Sequence, residues 1–435
     1  MTAGTALVLV LSARTVTLED AERSAAAHFP QIIVADANAA AGAARTEQAR
    51  APLLPQVKLD GTYLRTTGNK VQKPGRPTTL ANSLTTYDWW DGALTGNLLV
   101  WDFGQALNRW RAAQAHAVGL NDTALATRLE ALANVRAAYF RARAAKALVE
   151  VARATLANQE RHLAQIQGYV EAGTRPEIDL AQGRADVAQS RVGLIAAENG
   201  YVLGRAALNQ AMGITGDTDY DVADQTLGPV EGENGSVSLL IDEAVQARPD
   251  IAASTSQVRA QELATTAARG GYFPTLTLHA GAADAGIYLF GKTVPNPPFP
   301  PLTYGMTWNL FAGLQLTWPL FQGFLTRGQV READAALEGL RAQRTGLVQE
   351  VWVAVQQAAC AVRSAKEGLQ AAEDVLANAN ERLRLAEGRY VAGAGSIIEL
   401  QDAQLQSTRA AAQKVGAEYD LAAARAQLAL ALGRR

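Results

Sequence analysis

The chain has 435 residues and 15 prolines, and where those prolines fall limits the possible folds more than any other feature. None occurs from Thr78 to Arg175, from Glu177 to Gly228, or after Pro319. Proline costs about 3 kcal/mol inside a helix, so proline-free stretches rich in Ala, Glu, Arg and Gln are where long helices fit. They predict helices over Gln105–Gln167, Glu177–Met212, Leu325–Gly388 and Ile398–Leu432, with shorter ones over Gln31–Leu54 and Asp250–Phe273. Leu125, Leu129, Leu132 and Val135 recur at spacings of three or four, and Leu376 and Leu383 at seven, as a helix seam requires. Roughly a fifth of the residues are alanine and only 6% are aromatic, which favours closely packed long helices over a bulky core.

The remaining prolines border short alternating segments. In QVKLDGTYL, Val57, Leu59, Gly61 and Tyr63 alternate with Lys58, Asp60 and Thr62; in PTLTLHAGA, Leu276, Leu278 and Ala280 alternate with Thr275, Thr277 and His279. A second strand follows each, Ala93–Trp101 and Leu310–Trp318, after a long polar loop. Each strand runs to about nine residues, the length a tilted strand needs to cross a bilayer.

The pattern is written twice. Pro30 and Pro55 lie 25 residues apart, as do Pro249 and Pro274; Arg111 and Arg331 are offset by 220 and Tyr169 and Tyr390 by 221, close to half the chain. The expected organisation is a first repeat over 17–213, a linker over 214–238 and a second repeat over 239–435. At 1.5 Å per residue the long helix of each repeat spans roughly 95 Å, and two shorter ones laid end to end match it at roughly 90 Å. The predicted fold class is mainly α with a small β part, a very long helical bundle with strands at one end and helical turns at the other.

Four strands cannot close a membrane barrel, whose smallest forms have about eight. If the strands are membranous, the chain is an oligomer, and three copies supplying twelve strands is the simplest closed solution. Trp89, Trp90, Trp101, Trp308 and Trp318 sit at strand ends or in the adjoining loops, where an interfacial aromatic girdle belongs, although a soluble sheet would bury such tryptophans in its core.

Other functions are excluded by composition and motif. Lys and Arg total 40 against 42 Asp and Glu, which leaves no basic excess for nucleic acid. The single cysteine, Cys360, forms no internal disulfide and reads as a small packing residue in an Ala-rich helix. His28, His116, His162 and His279 lack ligand spacing, and no GxxxxGK[ST], GxSxG or HExxH occurs, so neither metal, other cofactor nor enzymatic activity is expected. The longest apolar run, Ala6–Leu11, is far short of the roughly 20 residues of a spanning helix. TALVLVLSA resembles the apolar core of a secretion signal, so residues 1–16 are expected to be a leader remnant.

Several segments together resemble the outer membrane efflux proteins of the TolC type, over nearly the whole chain from Leu18 onward. They are the twofold repeat, ARPDIAASTSQVRAQELATTAARGGYFPTLTL around Arg248, Pro249, Asp250 and Pro274, the strand exits VWDFG and PLFQG, and the turns YVEAGTRPEID and YVAGAGSIIELQDAQ. The resemblance implies a homotrimer with a shared twelve-stranded barrel in the outer membrane and a helical barrel of roughly 100 Å through the periplasm. It also implies an exit duct for a tripartite efflux or type I secretion system, joined to a periplasmic adaptor and an inner-membrane pump.

The family's gate lies at the turns farthest from the strands. By position, Asp179 and Glu399 each lie six residues beyond a turn glycine, Gly173 or Gly393, with Asp402 three residues on; Tyr390 matches the family tyrosine that ties closed turns together. Three copies of each carboxylate in a narrow mouth would attract cations, whereas an ordinary first-turn carboxylate needs no gate. The basic residue expected two positions after the second glycine is Gly395, and Arg175 holds the comparable place in the first repeat, leaving a closing ion-pair network open. Gly173, Thr174, Gly393 and Gly395 match the adaptor-docking tips, positions where plain turn chemistry also favours glycine. The alternative to a duct is a soluble, Ala-rich coiled-coil scaffold. The two differ in whether apolar strand faces such as Leu276, Leu278, Leu314 and Leu316 point outward.

Overall fold

The structure, a computed structural model, describes residues 15–67, 86–216, 219–287 and 308–434. Its elements run β1 (Thr15–Val16), α1 (Leu18–His28), α2 (Pro30–Arg50), a 3-10 turn (Ala51–Leu53), β2 (Gln56–Thr67), β3 (Thr86–Trp101), α3 (Gln105–Glu171), α4 (Glu177–Met212), β4 (Asp221–Val222), α5 (Val237–Ala247), α6 (Pro249–Gly270), β5 (Thr275–Ile287), β6 (Trp308–Thr317), α7 (Leu325–Val391) and α8 (Ile397–Ala431). Both long helices, α3 and α7, have 67 residues. The chain divides into two units, one of Met1–Ala39, Gly119–Ser254 and Gln343–Arg435, the other of Ala40–Val118 and Thr255–Ala342.

The first unit is helical and holds the twofold repeat in its cores. Val135, Tyr139 and Phe140 of α3 pack with Ala21 and Ala25 of α1 and with Leu208 and Met212 of α4. Val351, Val355 and Val362 of α7 pack in the same way with Leu240 and Ala244 of α5 and with Leu428 of α8. Fully burying a large apolar side chain contributes about 1.5–3 kcal/mol, and fully buried alanines such as Ala21, Ala25 and Ala142 let the helices approach closely. Helices α1 and α5, each 11 residues, are absent from the sequence expectation. They are too short to stand on propensity and exist through these contacts. Thr17 and Asp20 form a capping box that starts α1, and Pro30 and Pro249 open the helices that follow α1 and α5.

Thr15 and Val16, the last residues of the leader-like segment, pair in parallel with Asp221 and Val222, and Val16 is buried. Two expectations need correction. Cys360 is exposed, because the phase of α7 turns its neighbours Ala358 and Ala359 inward instead. Strands β2 and β3 have 12 and 16 residues rather than nine, since their antiparallel pairing continues from Gln56↔Asn97 to Thr67↔Thr86.

The expected linker is tied down by charge. The Glu233 carboxylate receives Arg425 Nε at 3.1 Å, Lys366 Nζ at 2.6 Å and the Val230 amide at 2.9 Å, while Arg425 also donates to the Leu227 carbonyl at 2.8 Å. Burial pushes the Glu233 pKa up, but the hydrogen bonds from Arg425, Lys366 and Val230 outweigh it and hold the carboxyl below its ordinary 4.5. A depressed pKa confers stability that is whole above the unfolded value and is lost as pH falls through the folded one. Removing one partner of a buried pair costs about 3–5 kcal/mol, so Glu233→Gln is expected to lower stability by about 3 kcal/mol at pH 7. In urea denaturation the two proteins converge below pH 4.5; a gap unchanged at low pH would remove the charge from this account.

The second unit is built on one antiparallel sheet in the order β2-β3-β5-β6. The registers align Leu59, Leu94, Ala282 and Leu310 in one row across it, and Leu98, Leu278 and Leu314 in another. This face is apolar and open: Leu59 is 78% exposed and Leu314 and Leu316 are each 66% exposed. The opposite face carries Lys58, Thr95, Asn97, Thr277, His279 and Gln315, with His279 Nδ1 and Asn97 Oδ1 at 2.5 Å.

Candidate functional site

The two helical turns, α3 to α4 and α7 to α8, are built from the same local chemistry. Gly173 and Gly393 both have φ 73°, a left-handed conformation that glycine adopts without a Cβ penalty. The Thr174 amide donates to the Tyr169 carbonyl and the Gly173 amide to Val170; the Ala394 amide donates to Arg389 and the Gly393 amide to Tyr390. These are Schellman closures of α3 and α7. They place Tyr169 opposite Arg389 in the repeat, with Tyr390 one residue later. The tyrosines are therefore out of step with the glycines by one position, and their surroundings differ accordingly.

Tyr390 is 2% exposed, packed with Ile166, Ala386, Leu400 and Ala403, and its ring meets Tyr169 edge-on at 6.4 Å. Arg175 reaches across from the first turn. Its guanidinium stands 4.5 Å from the Tyr390 ring centroid and Nη2 donates to the Tyr390 carbonyl at 3.1 Å. Burial raises the pKa of the Tyr390 hydroxyl, the Arg175 cation opposes the rise, and the charge of Asp179 adds to it. Asp179 is buried in the first turn of α4. Among the expected residues, Arg175, Tyr390 and Asp179 are thus brought together.

Glu399 lies in a different arrangement. Ser396 caps α8 by accepting the Glu399 amide at 3.1 Å, and the Glu399 carboxylate faces Arg389 Nε at 3.3 Å. Arg389 therefore supplies the basic partner that Gly395 lacks, from the helix before the turn instead of the residues after it. Counting forward from the turn glycines passes over it, because Arg389 lies four residues before Gly393, at the closure position of α7. Asp402 is exposed and takes no ion pair among the described residues. Both Asp179 and Glu399 are third residues of their helices, so the helix dipole stabilises them as well. Thr174 and Gly395 sit in the turns themselves, where the Thr174 hydroxyl donates to the Tyr169 carbonyl at 2.9 Å and the Gly395 amide to Arg389 at 3.0 Å.

Polar contacts absent from the sequence reading continue up the helices. Gln159 Nε2 donates to Gln404 Oε1 at 3.0 Å, Gln401 Nε2 to Asp186 Oδ2 at 2.6 Å, and His162 Nε2 lies 3.3 Å from Glu387 Oε1. No cluster of metal-ligating side chains occurs among the described residues. At the strand end of the second unit, Trp101 and Trp318 are 59% and 57% exposed, so neither is a core tryptophan. The side chains of Trp89, Trp90 and Trp308 lie outside the described residues, as do the loops between the paired strands.

A sheet with one apolar open face, long paired helices and two glycine-closed turns define an outer-membrane efflux channel fold. The family model for outer membrane efflux proteins matches residues 23–214 and again 240–434, and the chain belongs to that family. The toluene efflux pump outer membrane protein TtgF of Pseudomonas putida is 27% identical over 334 residues, covering 76% of this chain and 66% of that protein. The chain thus matches just under two thirds of that relative's length. Protein CyaE of Bordetella pertussis is 25% identical over 380 residues, 87% of this chain and 75% of that protein. The outer membrane protein VceC of Vibrio cholerae has the same fold, with TM-score 0.79 at 19% identity over 96% of both chains. Membership of the family carries the outer-membrane location with it.

Proposed function

We propose that the protein is the exit duct of a tripartite efflux or type I secretion system, a passive homotrimeric channel through the outer membrane and periplasm. Its partners are a periplasmic adaptor, an inner-membrane pump and outer-membrane lipid, and it catalyses no reaction. The observation that carries this reading is the two-faced sheet. Its outer strands, β2 and β6, each have one unpaired edge among the described residues, and its apolar face is open. In lipid an unpaired edge leaves backbone groups unsatisfied at several kcal/mol each, so the edges must meet those of further copies. Three chains supply twelve strands, and the polar face with Lys58, Asn97 and His279 then lines the lumen. A soluble scaffold leaves the exposure of Leu314 and Leu316 without purpose.

The repeats over 17–213 and 239–435, joined by 214–238, give each chain two turns at the periplasmic tip. Arg175 on Tyr390 and Arg389 on Glu399 hold these turns closed, Asp179, Glu399 and Asp402 line the mouth, and Gly173, Thr174, Gly393 and Gly395 meet the adaptor. Extracted in detergent, the protein is expected to have the mass of three chains and to conduct ions across planar bilayers. Replacing Glu399 and Asp402 with Ala is expected to lower cation selectivity severalfold, since three carboxylates of each kind leave the mouth. A monodisperse monomer soluble without detergent would overturn the duct. Unchanged selectivity removes these two carboxylates from the mouth and leaves the duct standing.

A further inference from the structure

The segment that leaves β6 for α7 breaks three local rules at once. Helices α4, α6 and α8 carry a carboxylate in the first turn, as the helix dipole favours; α7, like α3, has none, and α7 carries Arg327 there. Arg331 follows at i+4, a like-charge pair on one helix face. Phe324, at φ 66°, holds a left-handed conformation that bulky side chains avoid. In the first repeat the corresponding start of α3 is capped by Asp102, which accepts the Gly104 and Ala106 amides at 3.0 and 2.6 Å; the residue at that place before α7 is the neutral Gln322. The positive end of α7 and two exposed arginines therefore add up, with Glu332 as the one adjacent acid against them. Asp334, one turn further along, is engaged by Arg269 at 2.9 Å, which leaves Glu332 as the nearby acid, and neither Arg327 nor Arg331 has an ion-pair partner among the described residues.

Immediately beside this charge the surface is aromatic and apolar. Trp318 fixes its indole by donating to the Tyr272 carbonyl at 3.2 Å, and Phe321 and Phe324 meet edge-on at 5.6 Å. Phe321 is 77% exposed and Leu320 81%. Exposed aromatics next to arginines, where membrane strands give way to helix, match the boundary between acyl chains and phosphate groups.

We infer that Trp318–Arg331 is a lipid-anchoring site that takes an anionic phospholipid of the periplasmic leaflet, its phosphate held by Arg327 and Arg331 at the start of α7 and its acyl chains by Leu320, Phe321 and Phe324. The inference rests on the membrane-barrel reading, and its test separates the two. Detergent-solubilised full-length protein is titrated with phosphatidylglycerol or with phosphatidylethanolamine of the same chains, and retained lipid is counted by native mass spectrometry. A basic residue near an anionic headgroup is worth about fivefold in binding, so the wild type is expected to prefer phosphatidylglycerol. Arg327→Gln with Arg331→Gln is expected to reduce that preference at least tenfold, and the double Lys variant to keep it. Trimer mass and conductance stay unchanged in both variants. An undiminished preference in the Gln variant overturns the site, and so does dissociation of its trimer, which would assign the arginines to a neighbouring copy. A wild-type protein that needs no detergent and retains neither lipid overturns the barrel reading as well.

Discussion

On the proposed gate, Arg175→Ala is expected to shift the equilibrium toward the open tip by about thirtyfold in each protomer, read as a rise in open-state current across planar bilayers. The side chain joins the two repeats within one chain, donating to the Tyr390 carbonyl at 3.1 Å and covering its ring at 4.5 Å. A partly buried, charge-assisted hydrogen bond contributes about 1.5–3 kcal/mol and a cation–π contact about 0.5–2 kcal/mol. Ordering the long side chain costs up to about 2 kcal/mol, leaving about 2 kcal/mol, or roughly thirtyfold. Arg389→Ala is expected to do much less. Its partner Glu399 is 3.3 Å away, but both side chains are exposed, and such pairs contribute about 0–1 kcal/mol. Arg175→Lys keeps the charge without the planar fork and is expected to fall between Ala and wild type. Currents equal to wild type in Arg175→Ala, or a larger effect from Arg389→Ala, would refute this account of the tip.

The contrast between the two arginines marks the limit of what the residues alone convey. Proline spacing located every long helix to within a few residues, with α4 over Glu177–Met212 in both sequence and structure, because proline and glycine act on the backbone locally. The strand pairs were equally legible, since period-two alternation is a local signal and the registers preserve it through Leu98, Leu278 and Leu314. Contacts between distant segments were not. Helix α5 carries no period long enough to read and is held by Val351 and Leu428, more than a hundred residues away. Glu233 falls within the expected linker over 214–238, where nothing local distinguishes it; Lys366 and Arg425, more than a hundred residues away, enclose it. At the tip, the carboxylates could be placed by counting from glycine, but which arginine faces which group depends on the one-residue offset between Tyr169 and Tyr390, which only the turn hydrogen bonds reveal.

Glycine offers the sharpest case, and it carries the largest expected loss of stability. Gly173, Gly213 and Gly393 have nearly the same φ, 72° to 73°, and each ends a long helix. In sequence they are equivalent stop signals. Around Gly173 and Gly393 there is open space, so alanine there meets only the backbone cost of about 1 kcal/mol. Gly213 closes α4 through its amide on Gln210 and the Ile214 amide on Asn209, and it is pressed against the α1–α2 junction. A Cβ there would stand 2.6 Å from the carbonyl of His28 and 2.7 Å from Phe29 Cα. These are backbone atoms with no rotamer to swing aside, held by Ala21 and Ala25 in the core, so α1 or the end of α4 must move. Overpacking of this kind adds about 1–3 kcal/mol to the dihedral cost. Gly213→Ala is therefore expected to lose about 2–4 kcal/mol, against about 1 kcal/mol for Gly173→Ala and Gly393→Ala. Urea denaturation of the three variants, followed by helical circular dichroism, separates them. If all three lose the same stability, the seat of α4 against α1 is looser than these distances require.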